Sequence, residues 1–212
     1  MRASPNGLKL IQVYEGLGDG DKSTPGFEPY VCPAHIYTVG WGHALFTPDG
    51  KLIDVDEFGA AQALQLSHEA MQRKFGKQAL SHAECDALLD QDMQIFETGI
   101  EKQIGAGNAT QTQFDALTSF AYNVGLHNFE ISALKQLHLQ NQRQIGQIDL
   151  HVLFNAAQAK AAPTSMPLAF MRFTTANGQF ALGLFRRRAA EMLVYSGWDA
   201  QKAFDTMSAF KG

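Results

Sequence analysis

The chain has 212 residues, 45% of them hydrophobic and 18% charged, with a formal net charge of −4. That length supports a full core in one domain or two apposed lobes, and the balance is that of an ordinary soluble globular protein. An acidic total argues against nucleic acid as the main partner, because phosphate binding asks for a basic face. The charge is uneven: residues 1–103 hold 8 Lys/Arg against 15 Asp/Glu, and residues 104–212 hold 9 against 6. The second half could thus present a basic surface to an anionic polymer, or simply scattered solvated charges. Two cysteines, Cys32 and Cys85, are too few for a disulfide framework. No apolar run reaches the roughly 18–20 residues of a membrane span, so no stable membrane insertion is expected. The first residues lack the apolar stretch of a signal peptide, which implies a chain made and held in a cytoplasm.

Ser4-Pro5 fits a helix N-cap and first turn, with Leu8, Ile11 and Tyr14 at helical spacing and Gly16 as a stop. Glu15 therefore ends a short amphipathic helix, where the helix dipole disfavours a carboxylate and pushes its pKa upward. Residues 16–29 are rich in Gly, Asp and Pro and read as a loop. From Tyr30 to His43 the chain alternates like a β-hairpin whose glycine-rich end, Gly40-Trp41-Gly42, can bring backbone close to a ligand. Cys32 and Thr38 lie six positions apart, so both can face one side of it. Asp49-Gly50 marks a turn, and 54–75 reads as helical, ending near Gly76.

Ser81 with Glu84 forms a capping box opening a long helix through Leu88, Leu89, Met93, Phe96 and Ile100. Thr110 with Gln113 forms a second one, before a helix apolar on most faces and therefore buried. Residues 131–139 and 184–195 read as helices, the latter ended by Gly197, and 199–210 as a last one. The stretch 155–180 reads as partly irregular. Arg186, Arg187 and Arg188 span about 200° of a helix, so they cannot share one face and at least one pairs internally. The fold class is α+β, mostly α, with one small β region near the front.

No His/Cys/Asp/Glu set has zinc-like spacing, no phosphate loop is visible, and neither metal nor cofactor is expected. Cys32 with His35 or His43 offers a nucleophile and base in principle, although a hairpin this short gives poor geometry for it. Taken singly, Glu15 reads as a solvated helix end and Thr38 as a β-branched strand residue.

Together, Glu15, the ungapped run Tyr30–His43, Gln91-Asp92, Phe114–Gly125, Gly183–Glu191 and Gly197–Ala200 resemble, in order, the phage-type lysozymes of glycoside hydrolase family 24. The resemblance implies a lysozyme-like fold: an N-terminal hairpin lobe (about 1–80), a connecting helix (about 81–102) and a helical C-terminal lobe (about 103–212), with the glycan in a cleft between the lobes. It implies that Glu15, Cys32 and Thr38 are catalytic, that Tyr122 and Ser132 touch the glycan, and that a His43–Asp92 ion pair with a raised His43 pKa braces the hairpin. The family pattern places about eight residues between the glutamate and the second position, whereas sixteen separate Glu15 from Cys32. A strict gap lands on Thr24, and Asp19, Asp21 or Glu28 could supply a carboxylate, but the ungapped hairpin favours Cys32. A thiol of reference pKa near ~8.5 is mostly uncharged at neutral pH and cannot stabilise an oxocarbenium-like transition state as an aspartate would. Three readings of Cys32 stay open: a water-placing substitute, a thiolate nucleophile, or a small residue without catalytic weight.

The implied activity is that of an endolysin hydrolysing, with inversion, the β-1,4 bond between N-acetylmuramic acid and N-acetylglucosamine of bacterial peptidoglycan. The enzyme is expected to be a monomer held in the host cytoplasm until a holin releases it to the wall. The rivals are a lytic transglycosylase, which needs only the acid/base glutamate, a cysteine peptidase or amidase, and a non-catalytic peptidoglycan-binding module. Retention of Glu15 and Thr38 argues against the last.

Overall fold

Capping chemistry sets most helix ends in the computed structural model, which describes residues 1–212. Helix α1 (Pro5–Glu15) opens with Ser4 Oγ accepting from the Asn6 and Gly7 N–H groups at 3.2 and 3.4 Å. Strands β1 (Tyr30–Val31), β2 (Tyr37–Val39) and β3 (His43–Ala44) form an antiparallel sheet in that order. The helical stretch expected at 54–75 is two helices, α2 (Val55–Phe58) and α3 (Ala60–Phe75). Gly59 separates them at φ 76° and ψ 152°, a conformation closed to side-chain-bearing residues that ends one helix and turns the chain into the next. Helix α4 (His82–Ile104) begins on the Ser81–Glu84 box, Ser81 N donating to Glu84 at 2.9 Å and Glu84 N to Ser81 Oγ at 3.3 Å. Lys77 Nζ at 2.6 Å, with Ser81 N and Oγ each at 2.9 Å, holds the Glu84 carboxyl down at about 2.

Helix α5 (Gln111–Val124) carries the complete Thr110–Gln113 capping box. Then follow α6 (Leu126–Glu130), α7 (Ala133–Leu139), α8 (Leu150–Gln158) and α9 (Met166–Phe170). A hairpin of β4 (Thr175–Ala176) and β5 (Gln179–Phe180) precedes α10 (Leu182–Tyr195) and α11 (Ala200–Ala209). This second hairpin lies in the stretch read as irregular. It turns on Asn177-Gly178, both at positive φ (51° and 77°), the pairing a two-residue hairpin loop demands.

The chain forms two compact units, Met1–Tyr14 with Met93–Gly212, and Glu15–Asp92. One boundary falls at the end of α1 and the other inside α4, not near 80 and 103 as the sequence suggested. The reason is that α1 belongs with the C-terminal helices. Ser4 Oγ donates to Asp115, Asn6 Nδ2 to the Trp198 carbonyl at 3.2 Å, and Tyr14 Oη to the Arg186 carbonyl at 3.0 Å.

The larger unit packs around α5, in which every residue from Phe114 to Ala121 is buried. Phe120 meets Phe129, Phe170 and Phe173 edge-on, with centroids 6.3, 6.1 and 5.2 Å away. The three arginines of α10 diverge, as 100° per residue requires. Arg186 Nη2 donates to the Phe210 carbonyl at 2.6 Å, while Arg187 and Arg188 turn inward to Glu191 Oε1 at 3.3 and 2.9 Å. Arg188 is fully buried, with its guanidinium 4.7 Å from the Phe120 ring centre. Burial pushes the Glu191 carboxyl upward, and the two guanidinium groups and Ser119 oppose that shift. The smaller unit has its own core of Tyr37, Val39, Leu45, Ile53, Met71 and Leu80.

His138 is fully buried, Nδ1 accepting from Tyr195 Oη at 2.7 Å and Nε2 donating to the Asn108 carbonyl at 2.9 Å. Burial first, then the Arg143 charge, depress its pKa from 6.5 to about 4. The unfolded chain takes up a proton near pH 6.5 that the native state refuses until about pH 4. Stability is therefore present above the unfolded value and falls as pH drops through this window. Urea unfolding across that range is expected to show a stability loss on acidification that His138→Gln reduces.

Candidate active site

The site is built on the smaller unit, beginning with its first residue. Glu15 is the last residue of α1, partly buried, and Gly16 at φ 69° breaks the helix there. The longer loop that follows is braced by its own polar groups. Asp19 accepts from Glu28 N at 3.2 Å, Asp21 from Ser23 N at 2.9 Å, and Glu28 from Thr24 Oγ1 at 2.6 Å. The Ser23 bonds hold the Asp21 carboxyl below its usual range. Phe27 and Leu80 exchange two backbone bonds of 2.8 and 3.0 Å, tying the loop to the chain before α4. The three carboxylates that could have replaced an aspartate at the second position thus have loop-bracing partners.

In the β1–β2 pair, Tyr30 lies opposite Thr38 and Val31 opposite Tyr37. Cys32 N donates to the Ile36 carbonyl at 2.9 Å, which extends the same register into the turn. His35 takes φ 62° in that turn and its ring bonds Asp56 at 2.9 Å. Strand alternation therefore puts Tyr30, Cys32 and Thr38 on one face, with Val31 and Tyr37 on the other. Thr38 is only 4% exposed, and its hydroxyl lies 3.4 Å from the Tyr30 main-chain carbonyl.

Tyr30 gathers the rest. Its phenol reaches the Gly40 carbonyl at 3.4 Å, and its ring packs so tightly on the loop that a Cβ on Gly18 would lie 2.2 Å from Cε1. Burial raises the phenol pKa most, a bond from Thr38 opposes the rise, and the negative charges of Glu15, Cys32 and Cys85 add to it. The phenol is thus in electrostatic range of both Glu15 and Cys32. Cys85 is itself buried, and burial pushes its thiol up to about 11.

His43 Nδ1 lies 2.8 Å from Asp92 Oδ2, and its Nε2 lies 2.7 Å from Lys74 Nζ. An ammonium only donates, so Nε2 is the acceptor and Nδ1 carries the proton given to Asp92. The structure thus brings His43 and Asp92 together as the brace between β3 and α4 that the sequence led us to expect. Trp41 Nε1 adds a second tie to α4, donating to Asp86 at 2.8 Å. With both His43 nitrogens occupied and His35 bonded to Asp56, neither ring is arranged as the base of a cysteine peptidase.

Tyr122 and Ser132 belong to the larger unit. The Tyr122 ring lies 5.1 Å from that of Phe96 and is partly buried. Ser132 is 5% exposed and caps α7, accepting from Lys135 N at 3.2 Å and donating to the Phe129 carbonyl at 2.7 Å. That hydroxyl is committed to helix capping. Two contributors escaped sequence reasoning: Tyr30, whose parity with Cys32 and Thr38 was a usable signal, and Lys74, on a helix surface with no local signal at all.

Residues 23–163 match the sequence model of the phage lysozyme family. The chain belongs to this family. The match includes Cys32, Thr38, His43, Asp92, Tyr122 and Ser132, and begins after Glu15. Among curated relatives, the endolysin of Bacillus phage PZA is 28% identical over 196 residues, covering 92% of this chain and 55% of its own length. That of Bacillus phage B103 is 28% identical over 195 residues, covering 92% and 54%. The chain thus spans about half the length of these relatives. Among solved structures, the endolysin from Escherichia coli O157:H7 phage FAHEc1 superposes with a TM-score of 0.58 at 23% identity, covering 93% of this chain and 94% of that one. The muramidase domain of SpmX from Asticaccaulis excentricus gives 0.55 at 23% identity, covering 92% and 97%. These likenesses establish the lysozyme fold.

Removing Asp92 leaves a largely buried His43 N–H without its acceptor. Asp92→Ala is expected to lower unfolding stability by roughly 1–3 kcal/mol, read as a lower urea midpoint at unchanged slope. Lys74→Ala, at an exposed position, should cost under about 1 kcal/mol.

Proposed function

We propose that this chain is an endolysin muramidase, hydrolysing the β-1,4 bond between N-acetylmuramic acid and N-acetylglucosamine in bacterial peptidoglycan. The observation that carries the reading is the convergence of three side chains on Tyr30: Thr38 opposite it, Cys32 on the same face, and Glu15 within electrostatic range. Glycoside hydrolysis needs a proton donor to the leaving oxygen and a second group acting on water or on the sugar. Glu15 donates the proton. Thr38 and Cys32 hold the water, the former through its hydroxyl and the latter as a small weak acceptor. The curated relatives bear the name endolysin, which supports the substrate class. Tyr122 contributes an aromatic face to the glycan, and inversion is the expected outcome. The enzyme works as a monomer, with no metal or cofactor, after holin-dependent release from the host cytoplasm to the wall.

Mass spectrometry of purified murein after digestion tests the reaction. Reducing N-acetylmuramic acid ends are expected, and anhydro-muramyl ends would make the protein a lytic transglycosylase. Glu15→Gln should cost about a hundredfold or more in rate, on the scale of a lost general acid, and unchanged muralytic activity would sink the mechanism. Cys32→Asp and Cys32→Ser should both keep measurable hydrolysis, since each retains an acceptor at the water. Complete loss in Cys32→Ser, with a glycosyl adduct on the wild-type thiol, would instead make Cys32 the nucleophile.

A further inference from the structure

We propose that the pocket between the ends of α8 and α9 and the start of the second hairpin binds a compact oxyanion, a carboxylate or phosphate group, through Arg172 and Lys160. It lies wholly within the larger unit and stands apart from the glycan chemistry proposed above.

The cavity encloses about 210 Å³, or about seven waters at ~30 Å³ each. That is room for one acid group and its nearest waters, and too little for a disaccharide. Ala157 and Met171, both buried, contribute to its apolar side, where low polarity strengthens any charge attraction. Lys160, Arg172, Thr174 and Thr175 supply the polar lining, and no carboxylate takes part in it. Two positive charges therefore border one small space without a counter-charge in its wall.

Helix C-termini attract cations by themselves, so the carbonyls at this end of α8 and α9 could be all that Lys160 and Arg172 serve. Those carbonyls are already taken by other donors of the chain. Ala161 N donates to the Ala156 carbonyl at 2.9 Å, Lys160 N to that of Ala157 at 3.1 Å, and Thr174 Oγ1 to that of Met171 at 2.9 Å. Arg172 Nη1 spends one N–H on the Lys160 carbonyl at 3.0 Å. A guanidinium has five N–H donors and an ammonium three, so charged donors remain in surplus. The bond to Lys160 also holds the guanidinium from one side and leaves its Nε–Nη2 edge for the paired grip that arginine makes on acid groups.

The backbone adds a second sign. Lys160 takes φ 52°, a left-handed conformation that glycine adopts freely and lysine does not. The turn asks for glycine, and the chain carries a cation there instead.

NMR titration of the full chain tests the site, using sodium phosphate and, separately, N-acetyl-D-alanine at neutral pH, with ionic strength matched by sodium chloride. Saturable amide shifts centred on Lys160, Arg172, Thr174 and Thr175 are expected with at least one of the two. Arg172→Gln and Lys160→Gly should each weaken that binding roughly tenfold or more, the scale of a lost charged hydrogen bond. Lys160→Gly removes the charge and relieves the backbone, so it should unfold within a few degrees of wild type and separate lost binding from lost fold. Saturation by phosphate alone would trace the ligand to free phosphate or a phosphate-bearing polymer, and by the carboxylate alone to a peptide end; either supports the site. No saturable shift with either anion, shifts only elsewhere, or wild-type affinity in both variants would overturn it. Glycan cleavage is not the readout, so failure of the muramidase reading leaves this test standing.

Discussion

The pairing of Tyr30 with Thr38 across β1 and β2 is the constraint on which the rest of the site depends. A strand has a side-chain period of two, so a slip of one residue would send Cys32 and Thr38 to opposite faces. The strands are very short and would not hold this register alone. It is held from both sides: Tyr37 and Val39 are buried in the smaller unit's core, and the Cys32–Ile36 turn is closed by His35 at positive φ. The His35 carbonyl also accepts from Val55 N at 2.9 Å, which ties the turn to the start of α2. Burial of one face thus positions the polar groups of the other.

The larger unit follows a different logic, because its centre contains charge. Arg187 and Arg188 share the Glu191 carboxylate beside the buried face of α5. Such a group gives little net stability over an apolar replacement, since desolvation offsets the attraction, yet losing one partner strands the others. What it gives here is direction. Arg188 reaches Asn123 near the end of α5, and Arg186 reaches the Phe210 carbonyl at the end of α11. One short run of cations fixes α10 against both neighbours.

Much of the fold was legible because it rests on local chemistry. The capping boxes at Ser81 and Thr110, the stops at Gly16 and Gly76, and the turn at Asp49-Gly50 all depend on residues within a few positions. The misreadings have equally local causes. Gly59 sits inside a periodic pattern that continues on both sides, so the break in the helix was invisible to periodicity. Asn177-Gly178 is a strong turn signal, but its flanking strands are two residues each and show no alternation to read. The placement of α1 with the C-terminal helices could not be read, because it depends on partners about 110 to 190 residues away, such as Asp115 and Trp198.

The sequence by itself determined the family resemblance, the helix-end position of Glu15, and the parity that sets Cys32 and Thr38 on one side. Those are matters of spacing, and spacing survives without coordinates. Only the tertiary structure decided that the acidic residues of the long loop brace the loop itself, that Ser132 spends its hydroxyl on a helix cap, and that Lys74 approaches His43 to fix its tautomer. It also decided that Tyr30 stands at the centre of the group. Each of these depends on which donor meets which acceptor, and that is settled by packing between segments far apart in the chain.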